Sequence, residues 1–332
     1  MAAVLTGRGH RVTGLDTLFF EGCTFGSDGH AIPALKKDIR DITVADLDSI
    51  DAVVHLAALC NDPLGDLNSD WTADINHRAS VRLAQLARDA GIRRFVYASS
   101  CSLYGAASDQ AVTEQAAMKP LTPYAASKVR TEEDVAALAD GDFSPVFMRN
   151  ATAFGCSPRF RADLVLNNFV CWAHTTGRIR IMSDGTPWRP IVHVEDIAHA
   201  FAEALVAPRD AVHNQAFNVG ANDENYQVRD LAEIVKSLVA GSEVHLTGET
   251  GPDPRSYRVD FSKIGAALPS FTCRWTARRG AEQMYRAVRD INLTLDDFQG
   301  RRYIRLAQLR SLIDGGQLDG ELRWSSAGPG TA

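Results

Sequence analysis

The chain has 332 residues, 45% of them hydrophobic and 23% charged, with a formal charge of −6. That length makes one large α/β domain or two coupled ones, able to bury a core without disulfides or metals. The negative balance argues against nucleic acid or an anionic membrane as the main partner, since both need a basic footprint.

In chain order, Met1–Thr6 reads as the end of a helix, Gly7–His10 as its exit turn and Arg11–Leu15 as a strand. The glycines of T-G-R-G-H suit a helix C-cap better than a phosphate loop, because no strand precedes them. A dinucleotide domain opens with a strand and a Gly-rich turn that sets the pyrophosphate on a helix N-terminus. That first strand, the Gly-rich loop and the front of the first helix, on the order of 20 residues, are expected to be missing. A start assigned too late is the favoured explanation, ahead of a genuine deletion.

Ala52–Leu56, Phe95–Ser99 and Pro145–Met148 read as short buried strands, and Trp71–Ala90 and Tyr124–Ala139 as helices between them. The alternation predicts an α/β fold with a Rossmann-like doubly wound parallel sheet and a smaller C-terminal substrate domain. After about residue 150 the pattern changes. Glycine, proline and arginine are denser through Gly155–Pro190, and helical periodicity returns at Val194–Val206 and Val228–Val239. Residues 1–150 with about 191–219 are assigned to a dinucleotide-binding unit. Residues 151–190 and 220–324 form the substrate-binding unit, and 325–332 a small polar tail. Leu293–Trp324 carries no motif with a chemical reading.

The six cysteines, Cys23, Cys60, Cys101, Cys156, Cys171 and Cys273, are scattered, with neither C-x-x-C nor metal spacing. They read as free thiols of a reducing compartment, and no metal is expected. No apolar run reaches transmembrane length and no signal-peptide pattern opens the chain, so the expected location is cytoplasmic.

Asp16 ends the first predicted strand. A carboxylate there accepts hydrogen bonds from ribose hydroxyls and repels a 2′-phosphate, which favours NAD over NADP. Asp38 and Ile39, in K-K-D-I-R-D, are placed against the adenine; a loop charge and a core isoleucine are the plain alternatives. Tyr124 and Lys128, in Y-A-A-S-K, share one helix face. An ammonium near a phenol lowers its pKa from about 10 toward the working range, and such a tyrosine can take a proton from a sugar hydroxyl. The spacing alone is weak, since it arises by chance in exposed helices.

Its context is specific. F-V-Y-A-S-S-C-S-L-Y-G followed by P-Y-x-x-S-K resembles the extended short-chain dehydrogenase/reductases, the NAD-dependent epimerase/dehydratase family of nucleotide-sugar enzymes. The resemblance runs from about Gly9 to about Leu322. It includes H-L-A-A (His55–Ala58), D-I-N (Asp74–Asn76), R-N-A-T-A-F-G (Arg149–Gly155), W-R-P-I-V-H-V-E-D (Trp188–Asp196) and F-N-V-G (Phe217–Gly220). It implies a catalytic Ser100, Tyr124 and Lys128, with Ser100 hydrogen-bonding the reacting sugar oxygen. It places Leu56, Ala57, Ala58, Asn76 and Ser99 beside the cofactor, together with Asp16, Asp38, Ile39, Tyr124 and Lys128. On the substrate side it implies Cys101, Ser102, Asn150, Asn168, Arg189 and Arg255, the arginines pairing with a diphosphate through their fixed donor fork. His55 reads as a core histidine, and His193 and Asp196 as anchors of a strand–helix junction.

The family's 4,6-dehydratases carry Asp-Glu where this chain has Cys101 and Ser102, and its sugar-acid decarboxylases carry Glu at the position of Ser102. Both reactions are therefore disfavoured. What the resemblance leaves is NAD-dependent epimerisation of a nucleotide-diphosphate sugar through a transient keto-sugar. Reduction or oxidation by the same residues is the alternative. A non-catalytic sensor or scaffold is the alternative from another class. A homodimer through the Tyr124 helix and Trp71–Ala90 is expected from the resemblance.

Overall fold

A computed structural model describes residues 1–26, 32–106, 110–247 and 255–325. Helix α1 (Ala2–Gly7) ends where Gly9, at φ 85°, lets the His10 amide donate to the Leu5 carbonyl. The T-G-R-G-H stretch is thus a helix exit. Strands β1 (Gly14–Asp16) and β2 (Ala34–Lys36) follow, then two 3-10 turns (Ile39–Asp41 and Val44–Leu47) and β3 (Ala52–His55). Next come α2 (Asp62–Gly65), α3 (Ser69–Thr72), a π-helical segment (Ala73–Arg78) and α4 (Ala79–Asp89). The last three run on as the helix expected over Trp71–Ala90. Then come β4 (Arg94–Ser100), a 3-10 turn (Cys101–Tyr104), α5 (Pro123–Ala136) and β5 (Ser144–Asn150). The start of α5 is fixed locally, because Thr122 accepts the Ala125 amide and Pro123 needs no partner in the first turn.

The second half contains β6 (Thr152–Phe154), α6 (Val165–Thr176), β7 (Arg178–Ile181), β8 (Trp188–His193), α7 (Val194–Val206) and α8 (Arg209–Val212). It continues through β9 (Gln215–Val219), β10 (Asn225–Gln227), α9 (Val228–Leu238), β11 (Glu243–Leu246) and α10 (Ser262–Ala267). Helices α11 (Ala277–Asp290), α12 (Leu295–Gln299) and α13 (Arg305–Asp314) close it.

The central sheet is parallel, in the order β3-β4-β5-β9. Parallel strands need crossover helices, so both faces of this sheet are covered and the middles of β4 (Phe95–Ala98) and β5 (Pro145–Met148) are apolar. Phe95 and Tyr97 pack to one side with Leu83, Phe143 and Phe147. Val96 packs to the other with Val146, Met148, Phe201 and Phe217, as strand alternation requires. β1 pairs in parallel with β2. No hydrogen-bonded register joins that pair to β3 among the described residues. β1 is shorter than the expected Arg11–Leu15 and lies toward its C-terminal end. In the second half, β8 pairs with β6 and β10, and β7 with β11, over a separate core that includes Phe154, Leu166, Ile191, Leu231 and Met284. The chain's end returns to the first half, where Leu309, Leu312, Leu318 and Leu322 join the cluster of Ile39, Ile42, Leu47 and Leu83. Among the described residues no helix is long and apolar enough to cross a membrane.

Candidate active site

β4 and β5 run side by side to their carboxyl ends, where Ser99 faces Arg149 and Ser100 faces Asn150 in register. A doubly wound sheet binds its ligand outside those ends. The Ser100 hydroxyl accepts the Ser102 amide at 3.1 Å and lies close enough to the Tyr124 hydroxyl to favour its ionised form. One turn along α5, the Lys128 ammonium donates to the Ala98 carbonyl at 2.7 Å, with Tyr97 and Tyr124 beneath it at 4.7 and 5.6 Å. The structure therefore brings Ser100, Tyr124 and Lys128 together.

Their electrostatics differ from expectation on one point. Burial pulls the Lys128 ammonium down to about 8, against support from Cys60 and Glu132. Burial, reinforced by Cys60 and Asp62, pushes the Tyr124 phenol up, and the nearby Ser100 hydroxyl only partly offsets this. The phenol is thus not depressed, because a charge removed from water costs more than one ammonium about a ring's width away returns.

Of the residues expected on the cofactor side, Asn76 lies against α5, while Asp16, Asp38 and Ile39 lie on β1 and the turn after β2. Asn76 sits in the π-helical segment, a local widening that is frequent at functional sites. It accepts the Leu59 amide at 2.7 Å, donates to the Leu59 carbonyl at 3.1 Å and donates to Ser127 at 3.3 Å. It thereby fixes the loop after β3. Leu56 is exposed and Ala57 and Ala58 are half-buried as this loop begins. Asp16 is exposed at the end of β1 and accepts the Leu18 amide. Ile39 is core. Asp38 is half-buried, and although burial opposes it, Arg40 alongside holds its carboxyl below the usual range. His55 is buried and neutral, pulled down to about 3 by burial and the Lys128 charge, and bonded to Ser80. His193 caps α7 and pairs with Gln283, while Asp196 accepts the Arg274 and Trp275 amides.

The substrate-side residues are more dispersed. Cys101 lies within the core, its thiol donating to the Arg149 carbonyl at 3.1 Å, rather than at the cleft. The Ser102 hydroxyl is buried without a hydrogen-bond partner. Asn150 donates to the Ser99 carbonyl. Asn168 donates to the Ala162 carbonyl and is partly exposed on α6. The buried Arg189 donates to the Trp188 and Arg255 carbonyls, so the two arginines adjoin. Arg255 forms an ion pair with Asp62 at 2.7 Å.

Sequence reasoning missed the loop that covers Tyr124. Cys60 receives a hydrogen bond from Arg161, Asn61 donates to Asp163 at 2.9 Å, and Asp62 pairs with Arg255 and accepts the Thr122 hydroxyl at 2.6 Å. Asn61 holds φ at 128°, a strained conformation for a residue with a side chain. Gly65 lies so close that a Cβ there would meet Tyr124. The N-D-P run at 61–63 was the available signal, and it reads as an ordinary turn.

The sequence model of the "NAD dependent epimerase/dehydratase family" matches residues 1–220. The chain belongs to that family. The UDP-glucose 4-epimerase of Mycolicibacterium smegmatis is 30% identical over 250 residues, covering 71% of this chain and 77% of that one. The UDP-glucuronate 4-epimerase of Thermodesulfobacterium geofontis is 29% identical over 201 residues, 59% of each chain. The dTDP-D-glucose 4,6-dehydratase of Mus musculus is 25% identical over 202 residues, 60% of this chain and 56% of that one. The chain thus matches less than two thirds of the length of the last two relatives. The structure of MoeE5 in complex with UDP-glucuronic acid and NAD superposes with a TM-score of 0.75 at 26% identity, covering 87% of this chain and 94% of that one.

The residues present fit the family's cofactor at its two ends. Ser99 Oγ and Asn150 Oδ1 are buried without hydrogen-bond partners at the carboxyl ends of β4 and β5. At the other end, the Asp16 carboxylate is open to solvent at the tip of β1. Among the described residues, no Gly-rich turn leads into a helix N-terminus between these ends. No group of three His, Cys, Asp or Glu among the described residues could hold a metal ion.

Proposed function

We propose that this member of the family is an NAD-dependent nucleotide-sugar epimerase. The observation that carries the reading is the grouping of Ser100, Tyr124 and Lys128 at the carboxyl edge of β4, with Cys101 and Ser102 following Ser100 in place of an acidic pair. When bound, NAD would supply a hydride acceptor and donor and a positive charge on its nicotinamide ring. Ser100 holds the reacting sugar oxygen. Tyr124 accepts the hydroxyl proton as that carbon becomes a ketone and returns it when the carbon is reduced from its other face. Lys128 favours the phenolate against burial, and Asn150 and Ser99 present unpaired polar atoms to the ligands. Asn168, Arg189 and Arg255 bind the nucleotide diphosphate in the same reading. Two copies would pair through α5 and the long helix over Trp71–Ala90.

Water elimination calls for a carboxylic acid and a base next to the serine. Cys101 and Ser102 stand there, the first with its thiol turned into the core and held up by burial. This supports epimerisation over dehydration. The test is to incubate the chain with NAD and UDP-glucuronate or UDP-glucose, following reduced nicotinamide by absorbance and the sugar by NMR. An inverted sugar centre with no net reduction of NAD is expected. Stoichiometric reduced nicotinamide would make it a dehydrogenase, and a product lighter by one water a dehydratase. Ligand binding without any turnover would make it a sensor.

A further inference from the structure

The end of the chain packs onto the carboxyl edge of β1 and β2. Trp324 Nε1 donates to the Thr17 carbonyl at 2.6 Å, one residue beyond Asp16. Its ring lies 5.7 Å from that of Phe19, and Lys36, which ends β2, sits over it at 5.0 Å. Arg323 pairs with Asp41 at 2.6 Å. Arg40 donates to the Glu321 and Leu322 carbonyls at 2.8 and 3.1 Å while holding Asp38. Trp71 Nε1 donates to the Gly320 carbonyl at 2.9 Å. A bridge between Leu318 and Trp324 closes the turn, and the buried Leu318 and Leu322 root it in the core. Leu18 and Leu322 take φ of 61° and 57°, a left-handed conformation that branched side chains rarely adopt. Neither solvent nor local sequence favours this arrangement, so tertiary contacts hold it. Asp16 nevertheless stays exposed.

The turn therefore bridges two segments, Asp16–Phe20 and Asp38–Asp41, which carry the residues Asp16, Asp38 and Ile39 that the reading above assigns to the adenosine of NAD, and it leaves the Asp16 carboxylate open. We propose that Leu318–Trp324 is a retaining strap of the dinucleotide site. It ties those two segments together, so that they cannot part to let the adenosine leave until the strap lets go. This rests on the NAD-dependent reading and deepens it. An epimerisation leaves its cofactor unchanged and gains from slow release, whereas a net dehydrogenase must exchange its cofactor at every turnover.

The test follows release of NADH from the full chain, by loss of its fluorescence when chased with excess NAD. Trp324→Ala should release NADH about tenfold faster than the unaltered chain, through lost contacts that act on the off-rate. Trp324→Phe keeps a ring against Phe19 and removes the donation to Thr17, so it should speed release about threefold. A release rate unchanged in Trp324→Ala would overturn the strap. Should that variant fail to fold, the unaltered chain still decides the matter. A strap that retains the ligand must itself be stabilised by it, so saturating NADH should slow amide exchange across Leu318–Ser325 about tenfold. Equal exchange with and without NADH also overturns the proposal. If the unaltered chain binds no NADH at any concentration, the NAD-dependent reading fails and the strap with it. NADH bound by the chain and both variants with the same release rate sinks the strap alone.

Discussion

Burial moves Tyr124 and Lys128 in opposite directions on the pH axis, and each shift has a measurable consequence. Lys128 falls to about 8 in the folded chain from an ordinary 10.5. Between those values the unfolded chain binds more protons, so the unfolding free energy rises with pH across that window. Below about pH 8 the penalty for the buried ammonium is fully present. Lys128→Met should therefore be more stable than the parent near pH 7, by on the order of 2 kcal/mol, with the difference shrinking toward pH 10.5. Calorimetric midpoints of both proteins across this range check it, and a flat difference would show that the lysine is not desolvated. Tyr124→Phe removes the proton acceptor while leaving the ring and the close approach of its Cβ to Gly65 in place. It should lower kcat by about a thousandfold with little change in NAD affinity. Turnover that survives the substitution would move the base elsewhere.

At the scale of elements, the loop after β3 is held from below by Asn76 and covers Tyr124 from above. Asn76→Ala would leave the Leu59 amide and carbonyl unpaired in a buried setting. A loss of about 2–3 kcal/mol in urea unfolding is expected, with a fall in kcat because the loop over Tyr124 loses its register. A stability loss with kcat intact would separate the loop from catalysis. The D-I-N resemblance already implies that Asn76 holds the loop near the cofactor, and its bonds to Leu59 agree. The π-helical segment that aims Asn76 is not legible, because it has the same apolar spacing as the α-helix around it. Long, regular elements are legible. Val194–Val206 repeats its small and apolar face of Ala198, Phe201, Ala202 and Leu205 at helical spacing, and the middles of β4 (F-V-Y-A) and β5 (P-V-F-M) are apolar runs. Strands β6, β7, β10 and β11 have three or four residues each, and in R-I-R-I of β7 only the isoleucines are buried. So short a segment gives period-two alternation no room to stand out from chance. The grouping of Ser100, Tyr124 and Lys128 is legible from motif spacing, while the upward shift of Tyr124 is not, because burial belongs to the fold and not to a local string. Arg161 and Asp163 escape notice for the same reason. R-A-D reads as solvated charge until tertiary packing buries the pair at 2.7 Å under Cys60.

For the molecule as a whole, three consecutive residues tie the first half of the chain to the second, Cys60 to Arg161, Asn61 to Asp163 and Asp62 to Arg255. Asp62 pairs with Arg255 and so supplies the negative partner that the proposed function assigns to a nucleotide diphosphate. The two anions compete for one guanidinium, so substrate affinity carries the cost of displacing a carboxylate that is itself only partly exposed. Asp62→Asn keeps the shape of the loop and can still accept the Thr122 hydroxyl, but it removes the competing charge. UDP should bind this variant several-fold more tightly, in line with an ion pair of about 1 kcal/mol at such a partly screened position. Arg255→Ala should weaken UDP in either background. Titration calorimetry of the parent, both single variants and the double variant reads the coupling directly. If Asp62→Asn binds UDP no more tightly than the parent, Asp62 does not stand in for the diphosphate, and the ion pair serves only to hold the two halves together.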